Sequence, residues 1–291
     1  MTDPSYDLIV IGAGPAGLTA ATEAARVGLK VLCLDKLAPG GALINLGDLH
    51  DYEEPWQGPD MAARLTDDAT VAGVELGFGE VTGISGNGDW TVKTADGASH
   101  AARAIVVASG LNKGKLGLPN EVDFEGRGIS YCAHCDGPLY AGLPVVVAGA
   151  SGWAELEARD LVGLVGEITV VDPSGASVAA NDIAHIAGRI VALEGSNGLQ
   201  SVTVESGGQT RSVPANAVFV YVGQSPAAEF LPESLARDAA GHIVVDAEGR
   251  TSLPAVFAVG DVRASARYYL ADAIADGQRA AKAVVQALKK N

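Results

Sequence analysis

Tyr6-Asp7-Leu8-Ile9-Val10-Ile11-Gly12-Ala13-Gly14-Pro15-Ala16-Gly17 decides how the rest of the chain is read. The apolar run 6–11 has the character of a parallel strand buried on both faces. It passes directly into Gly-x-Gly-x-x-Gly. An Ala-rich helical pattern then covers Leu18 to Val27, Gly28 stops it, and a second apolar run, Lys30–Leu34, ends on Asp35. Three glycines alone are a weak signal. Within strand, turn, helix and strand, with an acid eighteen positions after the third glycine, they form a dinucleotide fingerprint. Gly12 allows the tight turn, Gly14 lets a pyrophosphate approach the backbone, and Gly17 lets helix and strand pack. The helix start at Pro15 and Ala16 faces the phosphates, and Asp35, followed by Lys36, accepts hydrogen bonds from ribose hydroxyls. A glycine-rich turn without a ligand is the plainer alternative, and the full context disfavours it. Cys33, between Leu32 and Leu34, reads as core filler.

The fingerprint does not separate FAD from NAD. Two further stretches favour FAD. Pro39-Gly40-Gly41-Ala42-Leu43 follows the acid after a short loop, and a double glycine lets backbone approach a bulky ring. Far downstream, residues 251–261 form a strand running into Gly260-Asp261, so the chain returns at its end to complete the first domain.

The chemistry-bearing motif is Cys132-Ala133-His134-Cys135-Asp136-Gly137. Two cysteines at this spacing close a small disulfide loop, and one thiol of such a pair often has a lowered pKa. A protonated His134 would stabilise a thiolate, and Asp136 could carry the proton that thiol chemistry moves. A zinc half-site is the competing reading. Zinc needs four ligands, and the only other cysteine is Cys33, so no metal ligands are assigned.

A length of 291 residues fits two domains with separate cores. Thirty-seven glycines and 5% aromatics suit an α/β protein rich in turns. Three cysteines rule out a disulfide scaffold and point to a reducing compartment. A net charge of -15 argues against nucleic acid and anionic membranes as partners. No basic leader precedes the first strand, and no stretch nears the ~20 apolar residues of a membrane span. A cytoplasmic protein is expected.

Taken together, these motifs resemble the low-molecular-weight thioredoxin reductases over most of the chain. Residues 12–17 resemble that family's FAD pyrophosphate loop, and Gly40-Gly41-Ala42-Leu43 its flavin-contacting Gly-Gly-Gln-Leu. Ile105–Gly110, ending in Ser109-Gly110, resembles its Ala-Thr-Gly strand. Residues 132–137 resemble its Cys-Ala-Thr-Cys-Asp-Gly, and Val256–Val262 its terminal FAD motif. The resemblance implies an α/β protein of two Rossmann-like three-layer domains, an FAD domain (1–111 and 241–291) split by an inserted dithiol domain (112–240). It implies FAD, with Asp51 added to the cofactor set, and a homodimer. Cys135 would meet the flavin, Cys132 would exchange with the partner, Asp136 would be the acid, and Asp261 would hold the cofactor.

The inserted domain departs from the family. Its turn reads Gly149-Ala150-Ser151-Gly152-Trp153-Ala154, where NADPH-using relatives have Gly-x-Gly-x-x-Ala. Ser151 stands where backbone must approach a pyrophosphate. After the next strand, Glu167–Val171, those relatives carry His-Arg-Arg to grip a 2′-phosphate. Here Asp172 begins a stretch with no Lys or Arg before Arg189. Asp172 would repel that phosphate but could bind a 2′-hydroxyl.

A degenerate nucleotide module carrying the dithiol is therefore expected, with thioredoxin or a small dithiol or disulfide as substrate. Ferredoxin is a possible donor, and Arg263, Arg267, Arg279 and Lys282 are candidates for docking it or for a solvated helix face. Three alternatives stay open: a dithiol oxidase using oxygen, a reductase with an atypical NAD(P)H site, and a non-catalytic redox sensor. After Asp261, Tyr268 and Tyr269 replace the family's Arg-Gln-Ala. They stack on the flavin or pack at an interface.

Overall fold

The computed structural model describes residues 5–49, 56–149, 152–175 and 182–290. The chain forms two compact units, one of residues 1–112 and 225–291, the other of 113–224.

The first unit opens with β1 (Tyr6–Ile11), α1 (Pro15–Arg26) and β2 (Val31–Asp35). The helix begins at Pro15, three residues before the expected Leu18, because proline's fixed φ suits the first helical position. Gly17 therefore lies inside the helix. Then follow α2 (Gly58–Val71), β3 (Glu75–Phe78), β4 (Val81–Gly86), β5 (Trp90–Thr94) and β6 (Ser99–Val107). β1 pairs in parallel with β2 and β6, and β2 with β3, while β4 and β5 extend the sheet as an antiparallel ribbon on β6.

The second unit contains β7 (Ile129–Ser130), the short helix α3 (Ala133–Asp136), β8 (Val145–Ala148), α4 (Gly152–Asp160), β9 (Ile168–Asp172) and β10 (Ile183–Ala187). An antiparallel ribbon, β11 (Arg189–Glu194), β12 (Ser201–Ser206) and β13 (Gln209–Pro214), precedes β14 (Ala217–Val220). The parallel sheet runs β7-β14-β8-β9-β10. β8 and β14 are buried throughout, as strands with both faces covered must be.

The chain then returns to the first unit. β15 (Val256–Ala258) pairs in parallel with the end of β6, Val256 opposite Ile105, and α5 (Leu270–Lys290) packs on α1. The return comes earlier than the expected 241: Ala228, Leu231, Leu235 and Ile243 bury in one cluster with Ile9, Ile105 and Val256. Burial of these apolar side chains fixes residues 225–240 to the first unit.

Candidate active site

The glycine loop has the geometry its residues predict. Gly12 lies at φ +104°, where a Cβ would fall 2.3 Å from the Ala108 carbonyl oxygen, and a Cβ on Gly17 would fall 1.9 Å from the Gly12 oxygen. Neither position accepts a side chain. Gly14 is different: its φ is -76°, and a Cβ would meet nothing closer than the Gly41 Cα at 4.0 Å. Fold packing alone would tolerate alanine there. Gly14 thus leaves the backbone bare toward open space, a shape that fits an approaching pyrophosphate. Gly14 is the N-cap of α1, makes no side-chain cap, and no acid occupies the first turn, leaving the positive helix end for an anion.

The Gly40-Gly41 segment is tied to this loop. The Gly40 amide donates to the Ala13 carbonyl at 2.7 Å, and a Cβ on Gly41 would lie 2.9 Å from the Gly14 Cα. Asp35 ends β2 at the same place, accepting from the Ala13 amide at 2.8 Å and the Leu37 amide at 2.9 Å. Lys36 and Ala42 are exposed, while Leu43 turns inward to pack with Met61 and Leu270. Asp51 lies outside the described residues.

The far end of the chain closes on the loop from the other side. A Cβ on Gly260 would lie 3.0 Å from the Ala16 Cβ. The Gly260 amide donates to Asp276 at 3.2 Å, and this buried carboxylate also pairs with Arg263 and Arg279. Burial raises the Asp261 carboxyl, the Asp276 charge adds to the rise, and Arg263 opposes it. Ser109 Oγ donates to the Ala227 carbonyl at 2.6 Å, and Gly110 takes φ +66°. Tyr268 and Tyr269 are exposed; Tyr268 has φ +61°, and its hydroxyl lies 3.3 Å from His242 Nε2.

Sequence reasoning missed Asp276 and Gly277. A Cβ on Gly277 would fall 2.5 Å from the Ala16 oxygen, so glycine is what lets α5 cross the start of α1. The possible docking arginines need correction. Arg263 and Arg279 are committed to Asp276, and Arg267 pairs with Asp272 at 2.5 Å. All three arginines thus pair with acids on α5, Arg263 and Arg267 from the segment before it and Arg279 from the helix itself.

In the second unit Cys132 and Cys135 are joined as a disulfide, their Cα atoms 5.4 Å apart. Cys132 is the N-cap of α3 and is buried, while Cys135 and His134 are exposed. The Cys135 amide donates to the Cys132 sulfur at 3.1 Å. Asp136 accepts from Ser130 Oγ at 2.7 Å, and its charge raises the nearby Tyr140 phenol, itself raised chiefly by burial. Lys113 Nζ donates to the Tyr131 carbonyl at 3.1 Å. Burial lowers the Lys113 pKa, opposed by Glu157 and Asp136. No cluster of three or more metal-ligating side chains occurs among the described residues.

At the expected nucleotide cleft of this unit, Ser151 lies outside the described residues. Asp172 is only 2% exposed, and its carboxylate is turned onto Ser174, accepting from the amide at 2.7 Å and the hydroxyl at 2.6 Å. Glu155 sits in the first turn of α4, paired with Arg159, where α1 carries no acid.

The sequence profile of the pyridine nucleotide-disulphide oxidoreductases matches residues 6–288. The chain is 34% identical to the thioredoxin reductase of Treponema pallidum, over 97% of this chain and 96% of that protein. The chain belongs to the thioredoxin reductase family. The crystal structure of Lactococcus lactis thioredoxin reductase superposes with a TM-score of 0.89 at 30% identity, covering 99% of this chain and all of that one. A ferredoxin-flavin thioredoxin reductase from Clostridium acetobutylicum matches at TM-score 0.57 and 25% identity, over 98% and 99% of the two chains. As a thioredoxin reductase homologue, the protein is a flavoprotein disulfide oxidoreductase that binds FAD. The bare Gly14 backbone, the uncapped α1 and the acids Asp35 and Asp261 fit that cofactor. Among the described residues, no helix is long and apolar enough to cross a membrane.

Proposed function

We propose that the protein passes electrons between FAD and a partner disulfide through Cys132 and Cys135, without drawing them from a nicotinamide nucleotide. The observation that carries the second half is Asp172, buried and closed on Ser174 where a ribose or its 2′-phosphate would be recognised. Gly12, Gly14, Gly17, Asp35, Gly40, Gly41, Gly260 and Asp261 hold the FAD, which supplies a carrier able to exchange either one or two electrons.

Two electrons reaching the pair break the sulfur–sulfur bond, and two protons complete the dithiol. Asp136, held by Ser130, is placed to deliver one of them. The Cys135 amide favours negative charge on the Cys132 sulfur. Once uncovered, that thiolate attacks the partner disulfide. The mixed disulfide then forms, the second thiol displaces the partner as a dithiol, and the internal disulfide closes again. A thioredoxin-like protein or a small disulfide fits as partner, a one-electron protein such as ferredoxin as donor, and a cytoplasmic homodimer as the working form. A second reading, NAD(P)H as donor through an atypical site, is favoured by the match to the pyridine nucleotide-disulphide profile.

Calorimetric titration with 2′,5′-ADP and with AMP separates the two donors. Neither should bind at millimolar concentration; a saturable heat with either restores the nucleotide reading. Replacing Cys132 or Cys135 by serine should abolish anaerobic bleaching of the flavin by dithiothreitol. Undiminished bleaching in both variants would show that the sulfurs and the flavin do not communicate.

A further inference from the structure

Beside the dithiol turn lies a carboxylate that the exchange steps leave unused. Glu157 on α4 is 8% exposed, and one of its oxygens accepts from the Ala133 amide at 3.1 Å and the Tyr221 hydroxyl at 2.7 Å. The same amide lies 2.9 Å from the Tyr221 hydroxyl oxygen. Amide, phenol and carboxylate therefore close a triangle, and Ala133 directly follows Cys132. Tyr221 is set by the end of β14 against Gly149, where a Cβ would fall 2.2 Å from the Tyr221 carbonyl oxygen. Three separate parts of the second unit thus bring one buried acid to the turn.

The groups facing this acid come from every side. His134 on the turn and Lys113 on the first connecting segment are attractive, while Asp160 on α4 is repulsive. Burial raises the Glu157 pKa, and the bonds from Tyr221 and Ala133 work against that rise by favouring the charged form. Around the sulfurs, the Cys135 amide and His134 favour a thiolate, whereas Asp136 opposes it.

We propose that Glu157 is a positioning residue that sets the protonation of the reduced Cys132–Cys135 pair, its charge opposing thiolate formation. The proposal rests on the redox role assigned to that pair. Opening the disulfide consumes two electrons, supplied by the reduced flavin of the family's chemistry, and up to two protons. With Glu157 charged, the second proton stays on sulfur to a higher pH, so a smaller share of the reduced pair carries the attacking Cys132 thiolate at a given pH.

The test is the pH profile of iodoacetamide alkylation of the dithiothreitol-reduced holoprotein, read at each cysteine by mass spectrometry. Glu157→Gln keeps the shape and removes the charge; the apparent thiol pKa should fall by about one unit, or roughly ten-fold more thiolate at a given lower pH. Tyr221→Phe keeps the charge and should move it by no more than about 0.3 unit. Equal falls in both variants would assign the effect to packing and overturn the proposal, as would no fall in Glu157→Gln. Glu157→Asp, made in parallel in case the amide variant does not fold, withdraws the charge by one methylene and should lower the pKa by a few tenths; an unchanged value there sinks the idea equally. Alkylation needs neither turnover nor a partner, so a dithiol silent toward the flavin would still report its pKa.

Discussion

At the scale of single residues, the glycine loop sets Gly12 and Gly17, which the fold itself requires, beside Gly14, which only the proposed cofactor site requires. Gly12→Ala forces a positive φ and a collision with the Ala108 carbonyl, so it should cost about 2 kcal/mol or more. Gly14→Ala meets only ordinary contact. Its flavin-free melting temperature should stay within about 2 °C of the parent, while FAD affinity falls at least ten-fold, on the order of 1.4 kcal/mol. Thermal melts and flavin-fluorescence titrations give both quantities; equal destabilisation by the two variants would remove Gly14 from the cofactor site. Asp261 has a raised carboxyl because it is buried near Asp276. A raised acid favours the folded state when protonated, and that contribution is lost as pH rises through its folded pKa. Asp261→Asn should therefore raise the flavin-free melting temperature at pH ~7, with the gain shrinking as pH falls through the raised folded pKa and gone by pH ~4, near the ordinary aspartate pKa, and should weaken FAD binding. A melting temperature lowered at neutral pH would contradict the account. The loop glycines and the acids of the fingerprint could be read from spacing alone, because strand, turn and helix fix their places locally. Glu157 could not, because its role depends on Tyr221 arriving from 64 residues further on.

Among elements, the crossing of α1 and α5 positions the glycine loop. Gly277 brings the last helix onto Ala16, and Asp276, one residue earlier, gathers the Gly260 amide, Arg263 and Arg279. Gly277→Ala should overpack this crossing, costing about 1–3 kcal/mol and releasing FAD, since Ala16 belongs to the loop itself. Denaturant unfolding and the flavin content of purified protein measure the two effects. An unchanged melt with full flavin would mean that the helices part without consequence. Apolar runs made β1, β2, β9 and β15 legible in the sequence. The crossing was not legible, because a glycine inside an Ala-rich helix looks the same whether or not another backbone lies against it. The return of the chain at 225 was hidden for a related reason. Ala228, Leu231 and Leu235 lie in loops without periodicity, and only their burial with β1, β6 and β15 assigns them to the first unit.

For the whole molecule, charge and the nature of the donor are linked. The net charge is -15, and Arg263, Arg267 and Arg279 are occupied by carboxylates. An acidic electron carrier would therefore meet a surface of its own sign, and its kcat/KM should rise as salt is increased to roughly 0.2 M, where screening is strong. A steep fall with salt, measured with photoreduced ferredoxin, would instead reveal a basic docking face. The family and its cofactor were readable from motifs spread along the chain, since each keeps its local geometry. The proposed donor rests on Asp172, whose sequence position alone suits either a ribose or its own turn and whose carboxylate accepts from Ser174. The most direct measurement is the flavin absorbance of the anaerobic holoprotein mixed in a stopped-flow instrument with NADPH, NADH or dithiothreitol. Both nucleotides should leave the flavin oxidised while the dithiol bleaches it. Bleaching by either nucleotide on the timescale of turnover would contradict the proposed function.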